Sequence, residues 1–215
     1  MFVRDKMTAD PVTITSQATI VHALQLMRDN KIRRLPVVDK DKLIGIVTDR
    51  DISEVSPSPA TSLSIFELNY LLAKTKIADI LPQNKQVITI GADALIEEAA
   101  LIMRDHKISG IPVISAQNKL VGIITETNIF DAFIEIMGLR QEGFRISLSL
   151  GFDRPGVIAE ITSAITACGG NITHISTYGE PGNAHIVLRI NKGDQEKITA
   201  ALKELGYNSA IHRNK

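Results

Sequence analysis

Residues 11–38 and 87–114 align without a gap and agree at 12 of 28 positions, where unrelated segments would agree at about two. Met27-Arg28-Asp29-Asn30-Lys31-Ile32 leads into Leu35-Pro36-Val37-Val38 and then Gly45-Ile46-Val47-Thr48. Met103-Arg104-Asp105-His106-Lys107-Ile108 leads into Ile111-Pro112-Val113-Ile114 and then Gly122-Ile123-Ile124-Thr125. The chain therefore holds one structural unit twice. Two copies of a unit pack with pseudo-twofold symmetry, and the seam between them is a natural place for a ligand cleft.

Within each copy the pattern reads strand, helix, two strands, helix. In the first, Val12-Thr13-Ile14 is a brief extended run, and Ala18 to Arg28 carries Ile20, Ala23, Leu24 and Met27 at helical spacing. Arg34 to Val38 and Leu43 to Val47 are β-rich, and Asp39-Lys40-Asp41-Lys42 between them reads as a hairpin turn. Thr48 falls where the second helix should start. The second copy repeats this order and ends in a helix from about Glu126 to Met137.

Between the copies lies an insert, 54–76. Ser56-Pro57-Ser58-Pro59 breaks any helix, and Ser62 can cap one carrying Ile65, Phe66, Leu68 and Leu72. This helix packs on its own domain or supplies a dimer contact. Residues 137–143 read as a linker, after which the pattern changes. Arg145 to Leu150 alternates polar and apolar residues. Pro155 to Ala167 places Val157, Ile158, Ile161 and Ile165 on one helical face, with Gly169-Gly170 just past its end. Strands are expected at Ile172 to Tyr178 and Ala184 to Ile190, joined by Gly179-Glu180-Pro181-Gly182. A helix at Asp194 to Leu205 and a strand at Tyr207 to His212 complete a βαββαβ order. The expected fold is α+β: a repeat pair over 1–136 (1–53, insert 54–76, 77–136), a linker, and a ferredoxin-like domain over 144–215.

Charge and hydropathy exclude several roles. Lys plus Arg equals Asp plus Glu at 24 each, which leaves no net electrostatic footprint for nucleic acid or an anionic membrane. No apolar run reaches the roughly 20 residues needed to span a bilayer, and without an export signal the cytoplasm is the expected address. Cys168 is the single cysteine, so an intrachain disulfide framework is excluded. The five histidines are scattered without a metal-ligand spacing, although His174 and His185 would face each other across the last hairpin in a suitable register.

Thr48-Asp49-Arg50-Asp51 carries the chemistry. A hydroxyl and backbone N–H groups at a helix start favour an anion. A carboxylate one turn on, at Asp51, suits a ribose diol, and Arg33 and Arg34 on the adjoining strand could add charge-assisted bonds to phosphate. A threonine here is also an ordinary N-cap. Thr125-Glu126-Thr127-Asn128 recurs at the equivalent place in the second copy.

Pro36-Val37-Val38-Asp39 followed by Gly45 to Asp51, with Ile111-Pro112-Val113 and Gly122 to Asn128 as the second instance, resembles CBS motifs, which occur in tandem as a Bateman module. The resemblance implies an adenosine-containing ligand between the copies: AMP, ADP, ATP or S-adenosylmethionine, regulatory rather than an obligatory cofactor. It implies that backbone at Thr13 and Ile14 faces the base, Thr48 takes phosphate, Asp51 the ribose, and Arg33 and Arg34 the phosphate tail. Pro36 and Arg50 belong to the same set, and Thr89, Ile90, Gly110, Pro112, Thr125 and Asn128 are the set of repeat two. There Ser109-Gly110 stand in place of Arg33-Arg34, and Asn128 in place of Asp51. The two sites are therefore expected to be unequal, with the phosphorylated ligand in repeat one.

Asp153-Arg154-Pro155-Gly156-Val157 after a strand, with Gly169-Gly170-Asn171-Ile172 after the helix, resembles an ACT domain. Such domains pair side by side and often hold an amino acid at the pair interface. The implied site is Asp153, Arg154, Pro155, Gly156, Asn171 and Ile172, with Gly151 where several amino-acid-binding members place a polar side chain. Two CBS motifs followed by an ACT domain resemble the acetoin-utilisation protein AcuB family over essentially the whole chain. The function expected is a non-catalytic sensor acting as a homodimer or higher homo-oligomer on a protein target, without nucleic acid, membrane or metal. A dimerisation scaffold without a nucleotide, or an enzyme on nucleotides, is the alternative.

Overall fold

A computed structural model describes residues 1–55, 72–82, 86–150, 154–180 and 183–213. Contacts divide the chain into two units, Met1–Phe130 and Asp131–Lys215. The first opens with a 3-10 turn, Val3–Asp5, and strand β1, Thr8–Ala9. Its first repeat then runs α1 (Ile20–Asp29), β2 (Arg34–Asp39), β3 (Lys42–Thr48) and α2 (Asp49–Val55). The second runs α3 (Ile77–Ile80), β4 (Ile90–Gly91), α4 (Ile96–His106), β5 (Gly110–Ile114), β6 (Leu120–Thr125) and α5 (Glu126–Ile136), the last crossing into the second unit.

The two copies match in detail. Helix α1 buries Ile20, Ala23 and Met27, and α4 buries Ile96, Ala99 and Met103 at the same positions. Thr19 caps α1, its hydroxyl accepting from His22 N–H at 3.2 Å. Beyond each helix a lysine, Lys31 or Lys107, sits in the left-handed region at φ +54°, the conformation that ends a helix without continuing it. Each hairpin has a bulge at the same place, between Val37 and Val38 and between Val113 and Ile114.

The opening segment of each repeat packs on the other repeat. Ile77 N–H donates to Ala18 O at 2.9 Å and Ala78 N–H to Ser16 O at 2.9 Å. Ile77 is fully buried in the repeat-one core among Ile20, Leu35 and Ile52. Reciprocally, Val3 N–H donates to Ala94 O at 2.9 Å and Ile96 N–H to Met1 O at 3.1 Å. Strand β1 pairs antiparallel with β6 at Ile123 and Gly122. Each repeat's hydrophobic core is thereby completed by the other's leading residues, an arrangement that local periodicity does not reveal.

One local expectation is revised here, and another lies largely outside the described residues. The strand expected at Val12-Thr13-Ile14 reduces to a single parallel bridge, Ile14 to Val37. Ile14 exchanges bonds with Pro36 O and Val38 N–H, and the chain then turns away at Thr15–Ala18. The turn is fixed by Asp39, whose carboxylate accepts from Ser16 N–H at 3.1 Å and from Ser16 Oγ at 2.5 Å. Of the insert, residues 56–71 lie outside the described residues, including Ser62, Ile65, Phe66 and Leu68. Leu72 packs against the repeat-one core.

The Ser16 hydroxyl and then its N–H hold the Asp39 carboxyl below the usual carboxylate range. A depressed folded-state value gives stability that is full above the unfolded value and is lost as pH falls through the folded one. The urea midpoint of wild type should therefore drop more between pH 6 and pH 3 than that of Asp39→Asn. Equal drops would remove Asp39 from the acid response.

The second unit contains β7 (Phe144–Leu150), α6 (Val157–Ala167), β8 (Asn171–Glu180), β9 (Asn183–Lys192), α7 (Gln195–Glu204) and β10 (Ser209–Arg213). Its antiparallel sheet has the order β10-β7-β9-β8. Phe144, Ile146, Leu148 and Leu150 alternate inward along β7 and meet Val157, Ile161 and Ile165 of α6 and Ile198 and Leu202 of α7. Helix α6 starts at Val157 rather than Pro155, because Gly156 at φ +91° forms its non-helical cap. Ile158, expected on the apolar face, is 47% exposed. His174 and His185 do not face each other: the register sets His174 opposite Arg189 and His185 opposite Tyr178. The His185 ring stacks on Tyr178 at 5.0 Å, and its Nδ1 lies 3.1 Å from Ser149 Oγ. In the expected linker, Met137 O accepts from Arg189 Nε at 2.8 Å, and Arg189 is buried.

Candidate functional site

A cleft of about 560 Å³ opens in the first unit, within the range of small-molecule sites. Repeat one supplies Arg33, Arg34 and the run from Ile44 to Asp51. Repeat two supplies Ile80-Leu81-Pro82, Gln86-Val87-Ile88, His106 to Gly110, Pro112 and Glu126. The exchange of leading segments dictates this composition. The end of hairpin β2–β3 carries the polar corner, and the opening of the other repeat crosses in front of it. Gly45 lies under the crossing, where a Cβ would stand 2.7 Å from Leu81 Cδ2.

At the corner the hydroxyl and carboxylate are tied together. Asp51 Oδ2 accepts from Thr48 N–H at 2.8 Å and from Thr48 Oγ1 at 2.7 Å, while Thr48 Oγ1 accepts from Asp51 N–H at 3.1 Å. The cap fixes the carboxylate's position in the cleft wall and uses the one Thr48 hydroxyl proton, so a phosphate bound at Thr48 would take that proton over from Asp51. Repeat two builds the same corner with Asn128, whose Oδ1 accepts from Thr125 N–H and Oγ1, each at 2.8 Å.

Of the residues expected to bind, the cleft brings together Arg33, Arg34, Thr48, Arg50, Asp51, Gly110 and Pro112. It leaves out Thr13, Ile14, Pro36, Thr89, Ile90, Thr125 and Asn128. Thr13 and Ile14 do not line this cleft beside Thr48 and Asp51, and Ile14 is 4% exposed in the repeat-one core. The backbone opposite Asp51 is Val87-Ile88 of the other repeat, the counterparts of Pro11-Val12 in the gapless alignment. His106, Lys107 and Glu126 were also missed. The repeat offset could have located all of these, had it been combined with a crosswise exchange.

The arginines differ in environment. Arg33 is exposed, whereas Arg34 is half-buried and donates from Nη2 to Ser109 Oγ at 2.8 Å. Desolvation, then repulsion from Arg33, lowers the Arg34 pKa, while Glu126 and Asp49 oppose that shift. An arginine stays protonated throughout the physiological range. Arg50 is paired with Glu54 at 3.0 Å across one helical turn, and so contributes less free charge than the sequence suggests.

The second expected site is only partly described, because Asp153 and Gly151 lie outside the described residues. Arg154 Nη2 donates to Glu160 Oε2 at 2.5 Å, and Tyr207 Oη donates to the same oxygen at 3.2 Å. The carboxylate beside it raises the Arg154 pKa. Asn171 Nδ2 donates to Asn191 Oδ1 at 2.7 Å. Gly156 leaves open space where a side chain would stand, next to Pro155. Ile172 packs against the core of this unit. Both polar side chains described here are engaged internally.

A family model described as CBS domain matches residues 3–58 and 77–135, and one described as ACT domain matches residues 144–208. A CBS domain-containing protein of Dictyostelium discoideum is 33% identical over 138 residues, covering 64% of this chain and 94% of that protein. Longer relatives match over a smaller share: an inosine-5'-monophosphate dehydrogenase of Korarchaeum cryptofilum is 34% identical over 121 residues, 22% of its length. Among solved structures, a Vibrio cholerae protein assigned to acetoin utilization (AcuB) is 31% identical with a TM-score of 0.53, covering 65% of this chain and 95% of that one. CBSX2 in complex with AMP is 26% identical, with a TM-score of 0.51 over 63% of this chain and 97% of that one. The CBS domain pair of protein MJ0100, in complex with 5'-methylthioadenosine and S-adenosyl-L-methionine, is 29% identical with a TM-score of 0.51, over 66% and 98%.

Proposed function

The chain belongs to the CBS domain family, with an ACT domain behind the CBS pair, and from that premise we propose a regulatory sensor whose first-unit cleft binds an adenosine-containing nucleotide. The observation that carries this reading is the pairing of a fixed carboxylate with cationic side chains across one cleft. Asp51 is held by Thr48, and Arg33 and Lys107 line the same space from different repeats. A ribose diol donates to a carboxylate, and a phosphate accepts from a hydroxyl and from guanidinium and ammonium groups. The apolar wall of Leu81, Val87 and Ile88 suits a purine face. Solved relatives of similar fold hold AMP, or methylthioadenosine and S-adenosylmethionine.

The protein acts by binding without turnover, signalling to a protein target through conformation or oligomeric state. A ligand shifts such an equilibrium only by its differential affinity for the two states. Homodimerisation is supported by Phe130, Phe133 and Ile136 on α5, which are 65%, 55% and 53% exposed, an apolar stripe a second copy would cover. The ACT domain is a pairing module, and an amino acid at its pair interface would lie beside Pro155 and Gly156. Among the described residues, Arg154 and Asn171 are engaged with Glu160 and Asn191. Among the described residues, no helix is long and apolar enough to cross a membrane.

A melting-temperature titration with AMP, ADP, ATP and S-adenosylmethionine tests the sensor reading. At least one should raise the Tm of the first unit saturably, by about 2.7 kcal/mol of added stability at a hundred times its Kd. No shift with any of the four would reject the nucleotide reading and leave the scaffold alternative.

A further inference from the structure

The two corners are built alike, and one arginine side chain passes between them. Arg34 begins β2 and Gly110 begins β5, and their register partners are Thr48 and Thr125. The residue after each threonine is anchored to the same place in its own repeat: Asp49 N–H donates to Arg33 O at 3.0 Å, and Glu126 N–H to Ser109 O at 3.3 Å. Across this symmetric frame the Arg34 side chain leaves its own repeat. It donates to Ser109 Oγ at 2.8 Å, and its guanidinium occupies the volume that any Cβ at Gly110 would need. A side chain at Gly110 would push the Arg34 guanidinium out of this position.

Resting on the nucleotide reading above, we propose that Arg34 is one cation shared by the two nucleotide corners, so that phosphate bound at either corner weakens phosphate binding at the other. The residues next to both threonines act on its charge: Asp49 and Glu126 each favour its protonated form. A guanidinium has five N–H donors in a rigid fork, and the Ser109 bond uses one. A phosphate at Thr48 recruits the fork toward repeat one, away from Ser109 and the Thr125 corner. Coupling between two sites is reciprocal by thermodynamic necessity, so phosphate at the Thr125 corner opposes binding at Thr48 by the same factor. A ligand without phosphate has no claim on Arg34 and fills the two corners independently.

The test is calorimetric titration of AMP and adenosine into wild type, Asp51→Ala, Asn128→Ala, and the Asp51→Ala/Arg34→Gln pair. Wild type should bind one AMP, then a second at least tenfold more weakly, with the second event absent in Asn128→Ala. In Asp51→Ala, which empties the first corner, AMP should bind the second at least fivefold more tightly than in the wild-type second event. Adding Arg34→Gln should remove that gain while adenosine affinity at the second corner stays the same, which also shows that the variant is folded. Equal affinity at the second corner in wild type and Asp51→Ala, or no binding there in Asp51→Ala, overturns the sharing and leaves the nucleotide reading intact. If neither AMP nor adenosine binds wild type, both fall together.

Discussion

Replacing Arg33 by alanine should weaken AMP binding about 10- to 150-fold and change adenosine binding by less than about twofold. Arg33 is exposed at the cleft edge, whereas its neighbour Arg34 is half-buried and bonded to Ser109, a bond that a phosphate must break to recruit it. Arg33 is therefore the arginine a phosphate at the Thr48 corner meets before Arg34 is recruited from Ser109. A hydrogen bond to a charged group contributes about 1.5–3 kcal/mol, which converts to the stated range at 1.4 kcal/mol per tenfold. Lys107, from the other repeat, limits the loss to the lower part of that range if it shares the phosphate. Parallel calorimetric titrations of AMP and adenosine measure both affinities. An equal loss for both ligands would mean that Arg33 shapes the cleft without contacting phosphate.

The largest effect on stability is expected from Ile77→Ala. Ile77 opens α3 at the head of the second repeat, yet it is fully buried in the first repeat's core with Ile20, Leu35 and Ile52. Removing a buried isoleucine down to alanine costs about 2–5 kcal/mol, depending on how far the surroundings collapse. Ile77 also anchors the segment that delivers Leu81 and Val87-Ile88 to the cleft, so the same variant should weaken nucleotide binding. Urea unfolding of the first unit reads the stability change. A loss below about 1 kcal/mol would mean that the leading segment of repeat two is not part of the repeat-one core.

The sequence was informative where the determinants are local. The repeat is visible in identities, hairpins in turn chemistry and strand pattern, and the C-terminal order in alternation followed by helical spacing. Thr48 and Asp51 could be paired in advance because a cap and its partner are three residues apart. What escaped were consequences of the twofold exchange. Thr13 and Ile14 have the same local context whichever repeat they serve, and only the crossing of the leading segments takes them out of the cleft and brings in Val87 and Ile88. Arg33 and Arg34 read as a matched pair in sequence. Their roles separate because Arg34, the first residue of β2, crosses the seam onto Gly110, whereas Arg33 just before the strand stays exposed at the cleft. Likewise Arg154 reads as a free cation until the start of α6 places Glu160 beside it.

A crystal structure of the protein with AMP would be the most direct measurement. The ribose hydroxyls should lie on Asp51, the phosphate on Thr48 and Arg33, and the adenine against Val87-Ile88 of the other repeat. A nucleotide seated instead against Thr13-Ile14, or bound only in the ACT domain, would contradict the account.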